Sequence, residues 1–463
     1  MKVYFETLGC KLNQFETEAL INLFKQKGFD IVFDIKECDV VVVNTCTVTK
    51  KSETKSFNAI KKAKRENKLV VATGCYATTD YDYLKKDLCV DIVVKNDDKF
   101  KIPEIITSKE NLLRKGFIER IEPVGVSQGD TPSPSEKGFI DRVEPVGVSQ
   151  GDIPVSPEKG CIDKIEPFVL VSSFERTRAF IKIQDGCNKF CSYCKIPFAR
   201  GRSKSLDPEK ILSFTEELVK KDYKEIVLTG VNISDYNYNG YKLYNLVKDI
   251  IEVNGNFRIR LSSLQPDEFD KKMIDFLNNE KFCPHFHISL QSGSNSVLKR
   301  MHRNYTKEYF LELTKQIRMA KKDTGITTDI IVGFPLEKDD EFNETLKLVE
   351  MVEFSRLHIF AYSKREHTKA SLLDDLPREI KKMREKILER KFKDVVSDFV
   401  RREIIGKPQK ILIEEKKDNL YTGYTGNYFK FYTRKDNLCL NNFYSLIPVR
   451  FEIKNTSVEL YDY

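Results

Sequence analysis

The stretch DGCNKFCSYCKIPFARG, Asp185 to Gly201, sets three cysteines in C-x3-C-x2-C spacing: Cys187, Cys191 and Cys194. Thiolates are soft ligands that suit zinc, copper(I) or iron–sulfur clusters. A structural zinc closes its tetrahedron with four Cys or His ligands. No histidine occurs before His285, so zinc would need a distant fourth partner. An iron–sulfur cube fits the gap better, because thiolates are its usual ligands. A cube held by three of them leaves one iron open to a substrate. AFIKIQ (179–184), just upstream, reads as a strand, which places the cysteines in the loop after it.

Further strands recur between helical stretches from about 176 to 396. They are EIVLTGV (225–231), RIRLSSL (258–264), HFHISLQ (285–291), ITTDIIVGF (326–334) and RLHIFAYS (356–363). Six such units predict a full or partial β/α barrel, whose working face is the carboxyl end of its strands. Strand ends therefore supply pocket candidates: Thr229, Gly230, Ser262, Ser263, Ser289, Gln291, Asp329 and Gly333. His285 and His287 alternate on one strand and read as structural. Arg200 and Arg202 read either as contacts for a substrate phosphate or as caps of the cysteine loop. The periodicity predicts one long basic helix from Pro377 to Val400. Its apolar stripe is Ile380, Met383, Ile387, Leu388, Val395, Val396 and Phe399.

The first 98 residues alternate strand and helix patterns, which predicts a small parallel α/β domain. Cys10 follows the strand KVYFETL, Cys46 follows DVVVVNT and Cys75 follows KLVVATG. In a parallel sheet the carboxyl ends of the strands share one edge, so these three thiols are expected in one crevice. Cys38, Cys89, Cys283 and Cys439 show no such pattern and read as core thiols.

Residues 99–175 differ in composition. KGFIERIEPVGVSQGDTPSPSE begins at Lys115, a near copy begins at Lys137, and a truncated copy with Cys161 in place of Phe begins at Lys159. So few copies, rich in Pro, Gly and Ser, predict a disordered insert or linker rather than a solenoid. Residues 397–463 carry short β-like runs with basic and aromatic residues interleaved, which predicts a small all-β domain suited to RNA. The chain has 463 residues, 11 cysteines and a net charge of +8. No signal peptide or membrane-length apolar run is present, so a cytoplasmic protein with reduced thiols is expected.

C-x3-C-x2-C with Tyr193 before the last cysteine, after the first barrel strand, resembles the radical S-adenosylmethionine (SAM) signature. LGCKLNQFETEAL, VVVNTCTVT and ATGCYA resemble the three further cysteine motifs of the methylthiotransferases within that superfamily. The resemblance spans the chain apart from the insert. It implies a multidomain α/β protein with an N-terminal α/β domain (1–98), a partial radical SAM barrel (176–396) and a C-terminal TRAM domain (397–463). It implies two 4Fe-4S clusters, one on Cys10, Cys46 and Cys75 and the other on Cys187, Cys191 and Cys194, together with SAM. In this family the second cluster cleaves SAM to a 5′-deoxyadenosyl radical, and the first carries the sulfur. Tyr193, Thr229, Gly230, Ser262, Ser289, Gln291, Asp329 and Gly333 become cofactor-pocket candidates.

GCKLNQ, NTCTVT and the barrel cysteine motif look most like the branch acting on N6-threonylcarbamoyladenosine at position 37 of tRNA. The implied reaction converts C2–H of that base to C2–S–CH3. The implied partners are the tRNA anticodon loop, an electron donor such as flavodoxin or ferredoxin, and a sulfur source, with no membrane. Alternatives are the branch acting on isopentenyladenosine in tRNA, and the branch acting on an aspartate of ribosomal protein S12. A zinc-bound RNA-binding protein is the alternative of another class. One stretch departs from the family: its YS-x-R-x-GT is here AYSKREHTKA, without the expected Pro and Gly.

Overall fold

The computed structural model describes residues 1–88, 90–114 and 177–463. Cys89, Cys161, the 22-residue repeats and the expectation of disorder drawn from them lie outside the described residues.

The N-terminal residues build a five-stranded parallel sheet in the order β2-β1-β3-β4-β5. Its strands are β1 (Lys2–Thr7), β2 (Asp30–Ile31), β3 (Val40–Thr45), β4 (Leu69–Gly74) and β5 (Ile92–Val93). β3 reads VVVVNT and is buried at every position. β-Branched residues on both faces suit a central strand covered by helices on both sides. The accompanying helices are α1 (Lys11–Gln26), α2 (Lys50–Arg65), α3 (Cys75–Thr79) and α4 (Tyr81–Lys86). Thr49 caps α2 by accepting the Ser52 N–H at 3.1 Å. Helix α5 (Ile102–Arg114) is described by itself. It falls inside the segment expected as insert.

The barrel begins with β6 (Arg178–Lys182). Strands β7 (Gln184–Asp185) and β8 (Lys204–Ser205) then pair antiparallel and close the loop that carries Cys187, Cys191, Cys194 and helix α6 (Ile196–Arg200). Helix α7 (Pro208–Lys220) has Asp207 as its cap and Pro208 in its first turn. It leads to β9 (Glu225–Thr229), the hairpin β10 (Asn237–Tyr238) and β11 (Tyr241–Lys242), and α8 (Leu243–Glu252). Then come β12 (Arg258–Leu261), β13 (Ser263–Leu264), β14 (His285–Ile288), α9 (Asn295–Arg300), α10 (Lys307–Ala320), β15 (Gly325–Val332), α11 (Asp339–Val352) and β16 (Arg356–Ala361). The parallel sheets β12-β9-β6 and β13-β14-β15-β16 share one chain segment, which bends at Ser262. They make six successive parallel strand positions, the partial barrel that the sequence predicts.

Helix α12 (Arg378–Glu403) runs past both the predicted end at Val400 and the expected boundary at 396/397. Its buried face also differs from the predicted stripe. Leu388, Val396 and Phe399 are buried as expected, but Met383 and Ile387 face solvent. Lys381 and Arg384 are buried instead. Lys381 donates to the Tyr362 carbonyl at 3.1 Å, and Arg384 pairs with Glu337 at 2.5 Å. Long basic stems pack like hydrophobes once their heads are paired.

The C-terminal sheet has the order β20-β17-β18-β19-β22-β21. It comprises β17 (Gln409–Lys417), β18 (Leu420–Thr425), β19 (Lys430–Thr433), β20 (Asn442–Leu446), β21 (Arg450–Lys454) and β22 (Ser457–Tyr461). Its β18–β19 turn meets the amino ends of the barrel strands. Arg258 donates to the carbonyls of Lys410 (3.1 Å) and Tyr424 (2.9 Å), and Arg260 to those of Gly426 (3.1 Å) and Thr425 (3.2 Å). Both arginines also hold the buried Glu225 at 2.7 Å. Burial would raise that carboxyl, and the two guanidiniums hold it far below the usual range. Cys38 and Cys283 are core thiols as expected, whereas Cys439 is exposed. No helix among the described residues is long and apolar enough to cross a membrane.

Candidate active site: two cysteine triplets

Cys10 is the N-cap of α1, Cys46 directly follows β3, and Cys75 opens α3. All three therefore sit at carboxyl ends of β1, β3 and β4, as the sequence implies. Gly9 has φ +103, and a Cβ there would lie 2.5 Å from the Cys46 sulfur. Glycine is thus what lets the Cys10 loop close on Cys46. Asparagines tie the loops together. Asn13 Nδ2 donates to the carbonyls of Leu8 (2.8 Å) and Thr45 (2.9 Å), and Asn44 Nδ2 donates to the Asn13 carbonyl (3.0 Å). Thr45 Oγ1 accepts the Ala77 N–H at 2.9 Å, fixing α3 against β3.

In the second triplet, Cys187 N–H donates to the Gly201 carbonyl at 3.1 Å and Cys194 N–H to the Cys191 carbonyl at 3.0 Å. Backbone amides also reach the sulfurs: Val48 N–H to Cys46 and Ile196 N–H to Cys194, both at 3.4 Å. Each triplet has an arginine as well. Arg200 Nε donates to the Cys75 sulfur and Arg303 Nη1 to the Cys191 sulfur, both at 3.3 Å. Burial pushes the Cys46 thiol up to about 11 and the Cys194 thiol up to about 12. Thiols in such surroundings ionise readily only when a metal supplies positive charge. The donor set fits iron–sulfur ligation: six free thiols in two groups of three, with N–H groups directed at four of the sulfurs.

The pocket candidates divide. Thr229 ends β9 and is buried. Next to it, a Cβ on Gly230 would meet the Gln184 carbonyl at 2.7 Å. The buried hydroxyl oxygen of Ser262 has no hydrogen-bond partner, as a group awaiting a ligand would. Ser289 accepts Arg303 and Tyr305 through its carbonyl, at 3.1 and 2.9 Å. Gln291 has φ +67 and bridges to β15, its N–H donating to the Asp329 carbonyl at 2.9 Å. Gly333 N–H is taken by Glu337 at 2.7 Å, while Lys381 packs where its side chain would be. The Tyr193 ring packs edge-on to Phe334 at 6.2 Å.

Three places gain detail from the structure. His287, expected to be structural, joins His358 around Asp329 at 3.3 and 3.0 Å, their ligand-type atoms lying within 4.8 Å of one another. Burial would raise the Asp329 carboxyl, and the two imidazoles hold it far below the usual range. Arg200 is buried and meets protein groups rather than a substrate phosphate, whereas Arg202 is exposed over the Phe190 ring at 4.8 Å. In the departing loop, Arg365 is buried and holds Thr47 Oγ1 at 2.6 Å and Glu53 at 2.7 Å, beside Cys46. His367 has φ +62 at the position where the family pattern has Gly.

Asn13, Asn44, Glu16, Arg303 and Arg365 were missed by sequence reasoning. Their roles depend on partners 30 to 320 positions away, except that the N-x-x-E spacing of Asn13 and Glu16 on α1 marks one helix face.

The chain matches the Radical SAM superfamily over residues 181–349 and Uncharacterized protein family UPF0004 over residues 2–95. It is 40% identical over 422 residues to the threonylcarbamoyladenosine tRNA methylthiotransferase MtaB of Aquifex aeolicus (strain VF5), covering 90% of this chain and 94% of that one. It is 35% identical to the protein of that name from Bacillus subtilis (strain 168), over 92% and 89% of the two chains. The tRNA-2-methylthio-N(6)-dimethylallyladenosine synthase of Endomicrobium trichonymphae is 31% identical over 92% of both. Among solved structures, the radical SAM methyltransferase TsrM from Kitasatospora setae superimposes with TM-score 0.52 at 15% identity, over 80% of this chain and 75% of that one. That likeness concerns the fold alone.

Proposed function

The chain belongs to the radical SAM tRNA methylthiotransferases, and on that footing we propose that it places a methylthio group on C2 of N6-threonylcarbamoyladenosine beside the tRNA anticodon. The observation that carries this reading is the presence of two three-thiol sites in one chain whose relatives of that name are 32–40% identical across about 90% of its length. When bound, the clusters and SAM supply the one-electron chemistry that opens an unreactive aromatic C–H bond, and the sulfur that replaces the hydrogen.

The protein's own residues hold and orient. Cys187, Cys191 and Cys194 would ligate one cluster at the barrel mouth, and Cys10, Cys46 and Cys75 the other. Asp329, Ser262 and the strand ends at Thr229, Ser289 and Gln291 would line the SAM pocket, with Arg303 fixing Ser289 against Cys191. Hydrogen abstraction needs near contact, so positioning decides which base reacts. We read the domains as 1–98, 176–396 and 397–463, with helix α12 continuing across the last boundary to Glu403 and the final region a TRAM-like RNA-binding domain. Its β19, β21 and β22 carry a cation–aromatic face: Tyr432 stacks on Tyr461 at 5.0 Å, and Arg450 lies 4.0 Å over the Tyr461 ring. Stacking rings with basic neighbours suit single-stranded RNA loops. A cytoplasmic setting, a flavodoxin- or ferredoxin-type electron donor and a sulfur source complete the reading.

The test is mass spectrometry of nucleosides from tRNA of a host lacking its own enzyme of this type. Expression of this chain should add the methylthio group to threonylcarbamoyladenosine. Modification of isopentenyladenosine alone, or a mass gain on ribosomal protein S12 without any tRNA product, would assign the chain to another branch.

A further inference from the structure

We propose that Arg200 is a positioning residue that ties the barrel to the first cysteine triplet and sets the reduction potential of the cluster held there. This rests on the two-cluster reading but not on the identity of the nucleoside.

Arg200 ends helix α6, a few residues after Cys194, so its backbone belongs to the second triplet's loop. Its guanidinium belongs to the other site. Nε donates to the Cys75 sulfur at 3.3 Å. Nη1 donates to Glu16 at 2.8 Å and to Asp185 at 3.1 Å. Nη2 donates to Glu16 at 2.9 Å and to Asn13 Oδ1 at 3.1 Å. Asn13 Oδ1 in turn lies 3.9 Å from the Cys10 sulfur. One side chain thus touches Cys75 directly and Cys10 through one intermediary. Asn96 reinforces the same seam, its Nδ2 donating to the Ala199 carbonyl at 2.8 Å and lying 3.8 Å from the Cys75 sulfur.

Buried charges surround this guanidinium. Glu16 is buried and also meets Lys99 at 2.5 Å and Lys182 at 2.9 Å, and Lys182 reaches Asp185 at 2.6 Å. Lys99, Lys182 and Arg200 thus surround Glu16, and the Arg200 guanidinium is the one of these cations whose N–H is directed at a triplet sulfur, that of Cys75. Hydrogen bonds to a cluster's sulfurs and nearby charge are what tune its potential. A cation and an N–H at Cys75 favour the more negative, reduced state and so raise the potential. Arg303 makes the equivalent bond to Cys191 from within the barrel, so the two sites are tuned by different arginines.

The experiment is an anaerobic redox titration of the full-length protein with both clusters assembled, in wild type, R200Q and R200K, with iron and sulfide measured beforehand. Each cluster is followed by its electron paramagnetic resonance signal, and SAM addition marks the barrel cluster. The midpoint of the cluster at Cys10, Cys46 and Cys75 should move to more negative potential in R200Q and part of the way in R200K. The barrel cluster should not move. Loss of irons from the first triplet alone in these variants would also support the tie. A wild-type midpoint at full iron content in either variant, or an equal shift of both clusters, overturns the proposal. A wild type that binds a single cluster would instead overturn the two-cluster reading itself.

Discussion

At the scale of single residues, an arginine reaches one sulfur of each cysteine triplet: Arg200 at Cys75 and Arg303 at Cys191, both at 3.3 Å. The spacing of Cys187, Cys191 and Cys194 could be read as a candidate site from the sequence, whereas these arginines could not. Arg200 lies 125 positions from Cys75, and nothing local distinguishes it from Arg202, which is exposed. His367 shows the opposite case, where sequence flagged a departure and structure gives its physical meaning. The loop keeps the left-handed turn, at φ +62, with a histidine where the family pattern has Gly. A left-handed conformation costs an L-residue about 1–2 kcal/mol, against about 0.5–1 kcal/mol for glycine's extra entropy. His367 is exposed, so H367G should raise stability by about 0.5–1 kcal/mol, read as a higher denaturation midpoint. A lower midpoint would mean that the imidazole makes a contact the fold depends on.

At the scale of elements, strand positions were read well because a buried parallel strand announces itself as a Val/Ile run bounded by turns. The long helix α12 was placed but its face was misjudged, since periodicity cannot tell a buried, paired Arg384 from an exposed one. The C-terminal strands were read as β from alternation. The RNA surface proposed for them would use the half-buried Tyr432, stacked on the buried Tyr461, and the cations around the pair: Arg450 over Tyr461, Lys430 over Tyr432 at 4.9 Å and Arg434 over Tyr463 at 4.7 Å. If Arg450 meets an RNA phosphate, R450A should weaken tRNA binding and lower the slope of log affinity against log salt by about 1. An unchanged slope would move the RNA footprint off this face.

At the scale of the whole described molecule, buried charged side chains help join the three regions, as Arg200 does to Glu16, Arg365 to Glu53 and Arg258 to the Tyr424 carbonyl, and no sequence pattern could announce them. The C-terminal sheet inserts Tyr428 beside His285, with ring centroids 4.9 Å apart. Its hydroxyl meets Lys11, next to Cys10, at 3.1 Å. Burial alone would raise this phenol, but Lys11, Arg178 and Arg260 around it bring it down to about 7. A tyrosine whose folded pKa is depressed stabilises the fold fully above its unfolded value of about 10. That stability is lost as pH falls through the folded value. Wild-type stability relative to Y428F should therefore rise between pH 7 and 10, with a tyrosinate absorbance step near pH 7 that Y428F lacks. A flat difference across that window would mean that the phenol stays neutral.

In the function proposed, two cysteine triplets divide the work, one making the radical and the other delivering sulfur. The measurement that tests it most directly is the parallel quantification of 5′-deoxyadenosine and methylthiolated threonylcarbamoyladenosine from wild type, C46A and C191A with reductant, SAM and tRNA. Wild type should make both products, C46A should still cleave SAM but transfer no sulfur, and C191A should make neither. Methylthiolated nucleoside from C46A, or SAM cleavage by C191A at the wild-type rate, would contradict that division.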